Sequence, residues 1–390
     1  MHYLISNEKT ICDKNGRLYV DQTEMVVEQN DPEDIDKKAR ELTREFYKSF
    51  LKQRFENLSI LAGAGSSFDI GVGAQKGKLR NGLWSAVATS FKEELFENFC
   101  SDVKCDWVEF SKSNDIEGLL THAYSANKFL KDNPNIDSGI QIIEKIIRTC
   151  CKLALPNDAP HIEFIKKITA RKLSDPRAKI FTLNYDTLFE QAAQNAKCVL
   201  IDGFSYSEPR EFRGNNFDYD FVLREGSRVK EEDNYVTNVV HIYKPHGSMD
   251  WEKSSDGKIV KNINTEKPLI IYPKESKYEN SYEQPFFEMM LRFQQEVRKK
   301  NSLLIVIGFS FYDKHISNII LEALDVNPGL RCMVVTKNLD SEYLTPLHGK
   351  AKSLHNLLLI EESFSDFAKY YPYPQTYTNE ITITPEVQSA

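Results

Sequence analysis

The chain of 390 residues has no apolar run long enough to cross a bilayer, since its most apolar stretch, "LLIVIGF" at 303 to 309, has the length of a buried strand. Its opening residues, "MHYLISNEKT", lack the apolar core of a signal peptide, so a cytoplasmic location and no membrane partner are expected. Positive charge is not in excess. The 50 Lys and Arg face 57 Asp and Glu, and a net charge of −7 argues against strong overall attraction to nucleic acid. The local clusters "KGKLR" (76 to 80) and "RKK" (298 to 300) read as solvated surface, so direct nucleic-acid binding is not expected. The seven cysteines form no CxxC pair. Cys100 and Cys105 are too far apart and Cys150 and Cys151 lie in an apolar helical pattern, which predicts reduced, mostly buried thiols. Histidines and cysteines never approach zinc-ligand spacing, so no zinc or other metal site is expected. No convincing internal repeat is present.

What is there is the composition of a soluble globular protein, 41% hydrophobic and 27% charged. Asn15-Gly16 stands between two alternating runs and predicts a two-residue hairpin turn. Asp31 is a natural N-cap and Pro32 suits the first helical position. Ile35, Ala39, Leu42, Phe46 and Phe50 then repeat at helical spacing, so a helix is expected to reach about Phe55. Residues 1–57 form this N-terminal hairpin and helix. From about 84 to 173 four amphipathic runs predict a helical module inserted after the first strand, beside the glycine turn it follows, with "GVGAQKGKLRNG" (71 to 82) as a mobile link and possible lid.

Strand-like runs follow at "KIFTLNYD", "CVLID", "VVHIYKPHG", "PLIIYP", "LLIVIGFSF", "CMVVT" and "LLLIEE", several separated by helical stretches. The alternation predicts an α/β, Rossmann-like fold over 58–362: an open, mostly parallel sheet with helices on both faces. The polar stretch from Ser205 to Asp233 reads as a loop or small β-insertion, and 363–390 as a C-terminal helix and tail.

In such a sheet ligands sit at the carboxyl ends of the strands. Those ends are unusually polar here: Gly63-Ala64-Gly65-Ser66-Ser67, Thr182-Leu183-Asn184-Tyr185-Asp186, His246-Gly247-Ser248, Gly308-Phe309-Ser310 and Thr336-Lys337-Asn338. The stretch "SILAGAGSSFDIG" predicts a buried strand entering a turn whose N–H groups point outward, a geometry suited to phosphate. A dehydrogenase fingerprint fails, because Phe68 holds the third glycine position and no acidic residue stands where a ribose carboxylate belongs. A P-loop fails as well, for want of Gly-Lys-Ser/Thr.

Taken in order, "GAGSS", "TLNYDTLFE", "KPHGSMDW", "IGFSFYDKHI" and "VVTKN" resemble the sirtuin-like superfamily over roughly 58 to 340, most closely its bacterial branch that hydrolyses NAD in anti-phage defence. The "DIEGLL" run at 115 to 120 also looks like that branch. The resemblance implies that Gly63, Ala64, Gly65 and Ser66, with Ser67, receive the pyrophosphate. It puts Asn184 and Asp186 at the Asn-x-Asp motif near the nicotinamide ribose and makes His246, followed by Gly247, the catalytic histidine. Gly308, Phe309 and Ser310 replace the family's Gly-Thr-Ser beside the adenosine half, and Asn338 falls on the adenine ribose. The structural zinc cysteines of protein deacylases and their Ile-Pro-Asp-Phe-Arg run are missing. The implied activity is cleavage of NAD, as substrate, to nicotinamide and ADP-ribose. By analogy the chain would be a homo-oligomer that joins another protein such as a HerA-type ATPase. An NAD-dependent deacylase or ADP-ribosyltransferase, and a non-catalytic NAD or ADP-ribose sensor, stay open as alternatives.

The chemistry agrees with the resemblance. Nicotinamide leaves NAD as a good leaving group, so the protein's work falls on positioning and deprotonating a water beside an oxocarbenium-like carbon. A neutral imidazole suits that near neutral pH, and an amide such as Asn184 suits fixing ribose hydroxyls. Simpler readings stand beside these. Asp186 caps the following helix in part, a strand-end histidine is often structural, and His315 reads as a helix-start residue. His122, His161 and His241 read as structural, and Trp84, Trp107 and Trp251 as core or interface anchors.

Overall fold

Asn15 and Gly16 both have positive φ, 56° and 74°, and Lys14 and Arg17 exchange backbone hydrogen bonds of 2.9 and 3.2 Å across them. This is the two-residue turn that the right-handed twist of a hairpin favours. It joins β2 (Thr10–Asp13) to β3 (Leu18–Val20) in the computed structural model, which describes residues 1–27, 31–91, 93–130, 133–223, 235–271 and 284–373. The N-terminal element is larger than a hairpin, because β1 (His2–Ile5) and β4 (Thr23–Met25) flank it in an antiparallel run. Helix α1 (Pro32–Leu51) follows. The Asp31 carboxylate accepts from Glu33 N, and Ile35, Ala39, Thr43 and Tyr47 are buried along one stripe. The helix stops short of Phe55, where Lys52 N closes on Lys48 O and the chain turns into the next strand.

The sheet has eleven strands. Seven are parallel, in the order β13 (Leu357–Glu361), β12 (Leu330–Thr336), β11 (Ser302–Ile307), β5 (Asn57–Ala62), β6 (Ala178–Thr182), β8 (Val239–Tyr243) and β7 (Val199–Ile201). β1 pairs antiparallel with β13, so the N-terminal strands extend the same sheet. Both faces are covered, as the near-continuous apolar central strands require. Leu303, Ile305 and Ile307 enter one core and Leu304 and Val306 the other, the period-2 alternation of a doubly covered strand. α1, α7 (Pro160–Thr169), α8 (Leu188–Asn195) and α12 (Phe364–Tyr370) cover the first face. The second is covered by α9 (Phe286–Val297), α10 (Lys314–Val326) and α11 (Thr345–Ser353). The fold is the α/β, Rossmann-like architecture expected.

The helical module is narrower than its sequence pattern. Helices α2 (Arg80–Phe91), α3 (Glu93–Asp102), α4 (Trp107–Ser113), α5 (Ile116–Phe129) and α6 (Pro134–Cys151) share a core of their own around Trp84, Phe96, Phe99, Leu119 and Ile140. α7 does not join them. Its Phe164, Ile165 and Ile168 pack into the main core against Phe364 and Phe367. The strand expected at 268–273 is also corrected over its described part. Ile270 makes a lone bridge to Gly247, because Leu269 N donates to Trp251 O and Ile271 N to His246 O, docking the segment on a loop. β9 (Trp251–Lys253) and β10 (Ile259–Lys261) form a separate two-stranded pair. Residues 224–233 of the expected polar loop, 272–273 of that strand and the tail from 374 lie outside the described residues. Among the described residues no helix is long and apolar enough to cross a membrane, and all seven cysteines are free thiols.

Candidate functional site

After β5 the chain builds β6, β7 and β8 on one side of it, then crosses to lay β11, β12 and β13 on the other. This reversal falls between β5 and β11, and the carboxyl ends at such a switch point are the place where open α/β sheets bind ligands. The glycines of the first turn lie there, and their immediate reason is each other. A Cβ on Gly65 would stand 2.6 Å from Gly308 Cα, and one on Gly63 would stand 2.7 Å from Gly308 O. The two strand-end turns touch backbone to backbone, which only glycine allows.

That contact corrects the expectation of outward N–H groups. Gly63 N donates to Ile307 O, Gly65 N to Gly308 O, Ser66 N to Gly63 O and Ser67 N to Ala64 O, at 2.9 to 3.1 Å. The turn tightens into a one-turn 3-10 helix over Ala64–Ser66. Among the described residues only the N–H of exposed Ala64 is left unengaged within Gly63–Ser67.

Asn184 knits the second strand end to the first. Its amide nitrogen donates to Gly63 O at 3.0 Å, Ser66 Oγ at 3.1 Å and Ser67 Oγ at 2.8 Å. Ser67 Oγ in turn donates to Asp186 Oδ2 at 2.7 Å, and Asp186 Oδ1 accepts from Leu188 N at the start of α8. Asp186 therefore does cap its helix in part. The nitrogen end of half-buried Asn184 is committed to the fold, while its carbonyl oxygen has no protein partner among the described residues.

His246 sits on a loop pinned to the same place. Met249 N donates to Tyr185 O at 3.0 Å, Tyr185 OH donates to Ile271 O at 2.7 Å, and Ile271 N returns to His246 O at 2.9 Å. Gly247 follows at φ 86°, with a Cβ position only 2.2 Å from Leu269 O, so the bend admits no side chain. His246 Nε2 lies 3.5 Å from Asp313 Oδ2, both side chains largely buried. Asp313 is brought there by a bend at Phe311. That residue adopts φ 60°, a conformation costing about 1–2 kcal/mol for a bulky side chain. Ser317 Oγ holds the bend by donating to Phe311 O at 3.0 Å.

Beneath this loop runs a chain of buried charges. Lys244 Nζ donates to the carbonyls of Asp186 and Tyr185 and pairs with Glu190 at 3.1 Å. Lys261 bridges Asp202 at 2.7 Å and Asp250 at 3.3 Å, and Ser248 Oγ donates to Asp250. Burial opposes ionisation of Asp250, yet Lys261 and Lys244 outweigh it and hold the carboxyl below the usual carboxylate range. Burial raises Glu190 in spite of Lys244. These groups fix the strand-end loops to one another.

The ends of β11 and β12 carry the more exposed candidates. Phe309 is buried against Phe311, their ring centroids 5.0 Å apart, while Ser310 and Asn338 are exposed. Asn338 Oδ1 accepts from Asp340 N, and no hydrogen bond links Asn338 to the other candidates among the described residues. Its neighbour Lys337 stands 5.1 Å over the ring of Phe68, beside the glycine turn. The helical module reaches the same rim, where Asp115 of "DIEGLL" accepts from Tyr312 OH at 3.1 Å and Arg80 lies over the Tyr312 ring at 4.9 Å. A recess of about 780 Å³ lies between Asp69–Gly71, α7 and α12, and neither Asn184 nor His246 lines it.

Asp313, Lys244 and Tyr185 were not singled out by residue type and spacing. Asp313 stands within "IGFSFYDKHI", Tyr185 within "TLNYDTLFE" and Lys244 opens "KPHGSMDW", but nothing in their type or spacing gives them a role. His315 N donates to Asp313 Oδ1, as a helix-start residue does. His161 lies wholly buried between Phe189 and Phe364, and His241 is buried beside Tyr243. Trp84 and Trp107 pack in the module's core, and Trp251 is fully buried.

Residues 178–339 match the sequence model of the family described as SIR2-like domain. The match runs from β6 to just beyond β12 and includes Asn184, Asp186, His246, Gly247, Gly308, Phe309, Ser310 and Asn338. It leaves the glycine turn and the helical module outside. It supports a sirtuin-like, NAD-associated character for that part of the chain. No curated protein matches the sequence.

Proposed function

We propose that the chain hydrolyses NAD at the bond between nicotinamide and ribose, releasing nicotinamide and ADP-ribose. The observation that carries this reading is the meeting of the His246 loop, with a carboxylate 3.5 Å from the imidazole, and the Asn184 strand end at the carboxyl edge of the sheet. The leaving nicotinamide takes the electron pair of the breaking bond. A water oxygen bonds to the ribose carbon, and His246 accepts the proton of that water, a step worth roughly 10²- to 10⁴-fold. Asp313 holds the imidazole in orientation. Asn184 presents its carbonyl oxygen to a ribose hydroxyl while its nitrogen stays anchored in the serine network. Ala64 N–H and the Lys337 ammonium offer donors to the pyrophosphate beside the turn.

We place this activity in anti-phage defence under the control of a partner protein, on the strength of the sequence resemblance. The test is nicotinamide release from NAD by wild type, Asn184→Ala and His246→Ala, each with and without candidate partners. Loss of release in both variants is expected, with NAD binding retained in His246→Ala. Equal, negligible release by all three under every condition identifies a nucleotide sensor instead, and acyl-group transfer from an acetylated peptide identifies a deacylase.

A further inference from the structure

One nitrogen from each of His2 and His348 and one carboxylate oxygen of Asp340 lie within 4.8 Å of one another. They come from β1, the turn after β12 and α11, elements that spacing along the chain could not connect. We infer that these three side chains form a binding site for a divalent transition-metal ion of the zinc class. The donor set is two imidazoles and one carboxylate, matched to borderline ions and unlike the all-oxygen sets of Mg²⁺ or Ca²⁺.

The carboxylate is positioned in advance. Asp340 Oδ2 accepts from His2 N at 3.1 Å, Asp340 Oδ1 meets His2 Nδ1 at 2.6 Å, and Asp340 N is held by Asn338 Oδ1 at 3.0 Å. His348 Nε2 donates to Leu339 O at 2.9 Å, which fixes the neutral tautomer and leaves Nδ1 with the lone pair. Histidine ligands to metals commonly carry such a carbonyl on the second nitrogen. The two rings stand edge to face, with centroids 5.2 Å apart. Ligand atoms around a tetrahedral zinc lie about 3.4 Å apart, so closing the cluster requires movements of about 1 Å in half-exposed side chains. The His2–Asp340 hydrogen bond yields to the ion, and water completes the coordination. The site would clasp residue 2 to residues 340 and 348 and so fasten the four antiparallel strands to the parallel sheet.

The test is calorimetric titration of the EDTA-stripped full chain with ZnCl₂, with MgCl₂ as control, in wild type, His2→Gln, Asp340→Asn and His348→Ala. Expected are one equivalent of Zn²⁺ per chain in wild type, affinity at least about tenfold weaker in each variant, and no response to Mg²⁺. Zn²⁺ at about 100 times its Kd should raise Tm by about 2 °C or more in wild type only. Each variant's far-UV spectrum and Tm in EDTA establish that it is folded. Absence of saturable Zn²⁺ binding overturns the inference, as does unchanged stoichiometry and affinity in the His2→Gln/His348→Ala double variant, which would place the ion elsewhere on the chain.

Discussion

His246 Nε2 lies 3.5 Å from one oxygen of Asp313, and the other oxygen of the same carboxylate caps α10 by accepting from His315 N at 3.0 Å. One side chain thus holds both the imidazole and the helix that follows the β11 strand end. The two roles separate in Asp313→Asn, because asparagine caps helices about as well as aspartate but carries no charge. Thermal stability should stay close to wild type, while kcat for nicotinamide release falls about 10- to 100-fold with KM little changed. Steady-state kinetics beside a melting curve check this.

Gly65 and Gly349 make opposite predictions from one substitution. A methyl group on Gly65 meets the Gly308 backbone at 2.6 Å, so Gly65→Ala must push the β5 and β11 turns apart and should cost about 2 kcal/mol or more. Gly349 lies within α11 with open space around it, and Gly349→Ala should stabilise by up to about 1 kcal/mol. Urea denaturation of the two variants distinguishes them.

Much of this was readable locally. Asn15-Gly16 and Asp31-Pro32 announce a turn and a helix start within a few residues, and runs such as "LLIVIGF" are too apolar for a strand with a solvated face. What lay beyond reach depends on which distant surfaces meet. The period that makes Phe164, Ile165 and Ile168 one stripe is the same whichever core receives it, so α7 could not be told from the module. His246 and Asp313 meet only because β8 and β11 end at the same rim, and His2 and Asp340, 338 positions apart, meet only because β1 joins the far side of the sheet. The glycine turn had the right residues and a different backbone: the pattern Gly63-Ala64-Gly65 is satisfied by packing against Gly308 as fully as by a ligand.

Acid should destabilise the fold through its buried histidines. Burial pushes His161 and His241 down to about 3, so below the ordinary value of 6.5 the unfolded chain takes up protons that the native chain refuses. Stability is full above about pH 6.5 and falls as pH drops from there toward 3, by about 1 kcal/mol per pH unit for each histidine. Urea midpoints at pH 7.5 and 5.5 should drop less in His161→Phe than in wild type.

Arg44 Nε lies 2.5 Å from Glu362 Oε1, whose side chain is almost wholly buried. Burial raises Glu362, and Arg44, more than Tyr47, opposes it. Arg44→Met should therefore cost about 3 kcal/mol at pH 8, where Glu362 must stay charged without its partner, and less at pH 5, where it accepts a proton. Paired urea titrations at the two pH values read the difference.

Tyr312 OH donates to Asp115 across the join between the β11 loop and the helical module. Tyr312→Phe removes this bond but keeps the ring against Arg80, and should change stability by no more than about 1 kcal/mol. Amide exchange at residues 115 to 120 should quicken in the variant if the bond holds the module at the rim.

The most direct measurement is quantification of nicotinamide and ADP-ribose after incubating wild type and His246→Ala with NAD, each with and without candidate partners, alongside NAD binding to each. The account predicts equimolar products from wild type, at least about 100-fold less from the variant, and comparable binding by both. Equal release by the two proteins, or no binding of NAD by either, would contradict it.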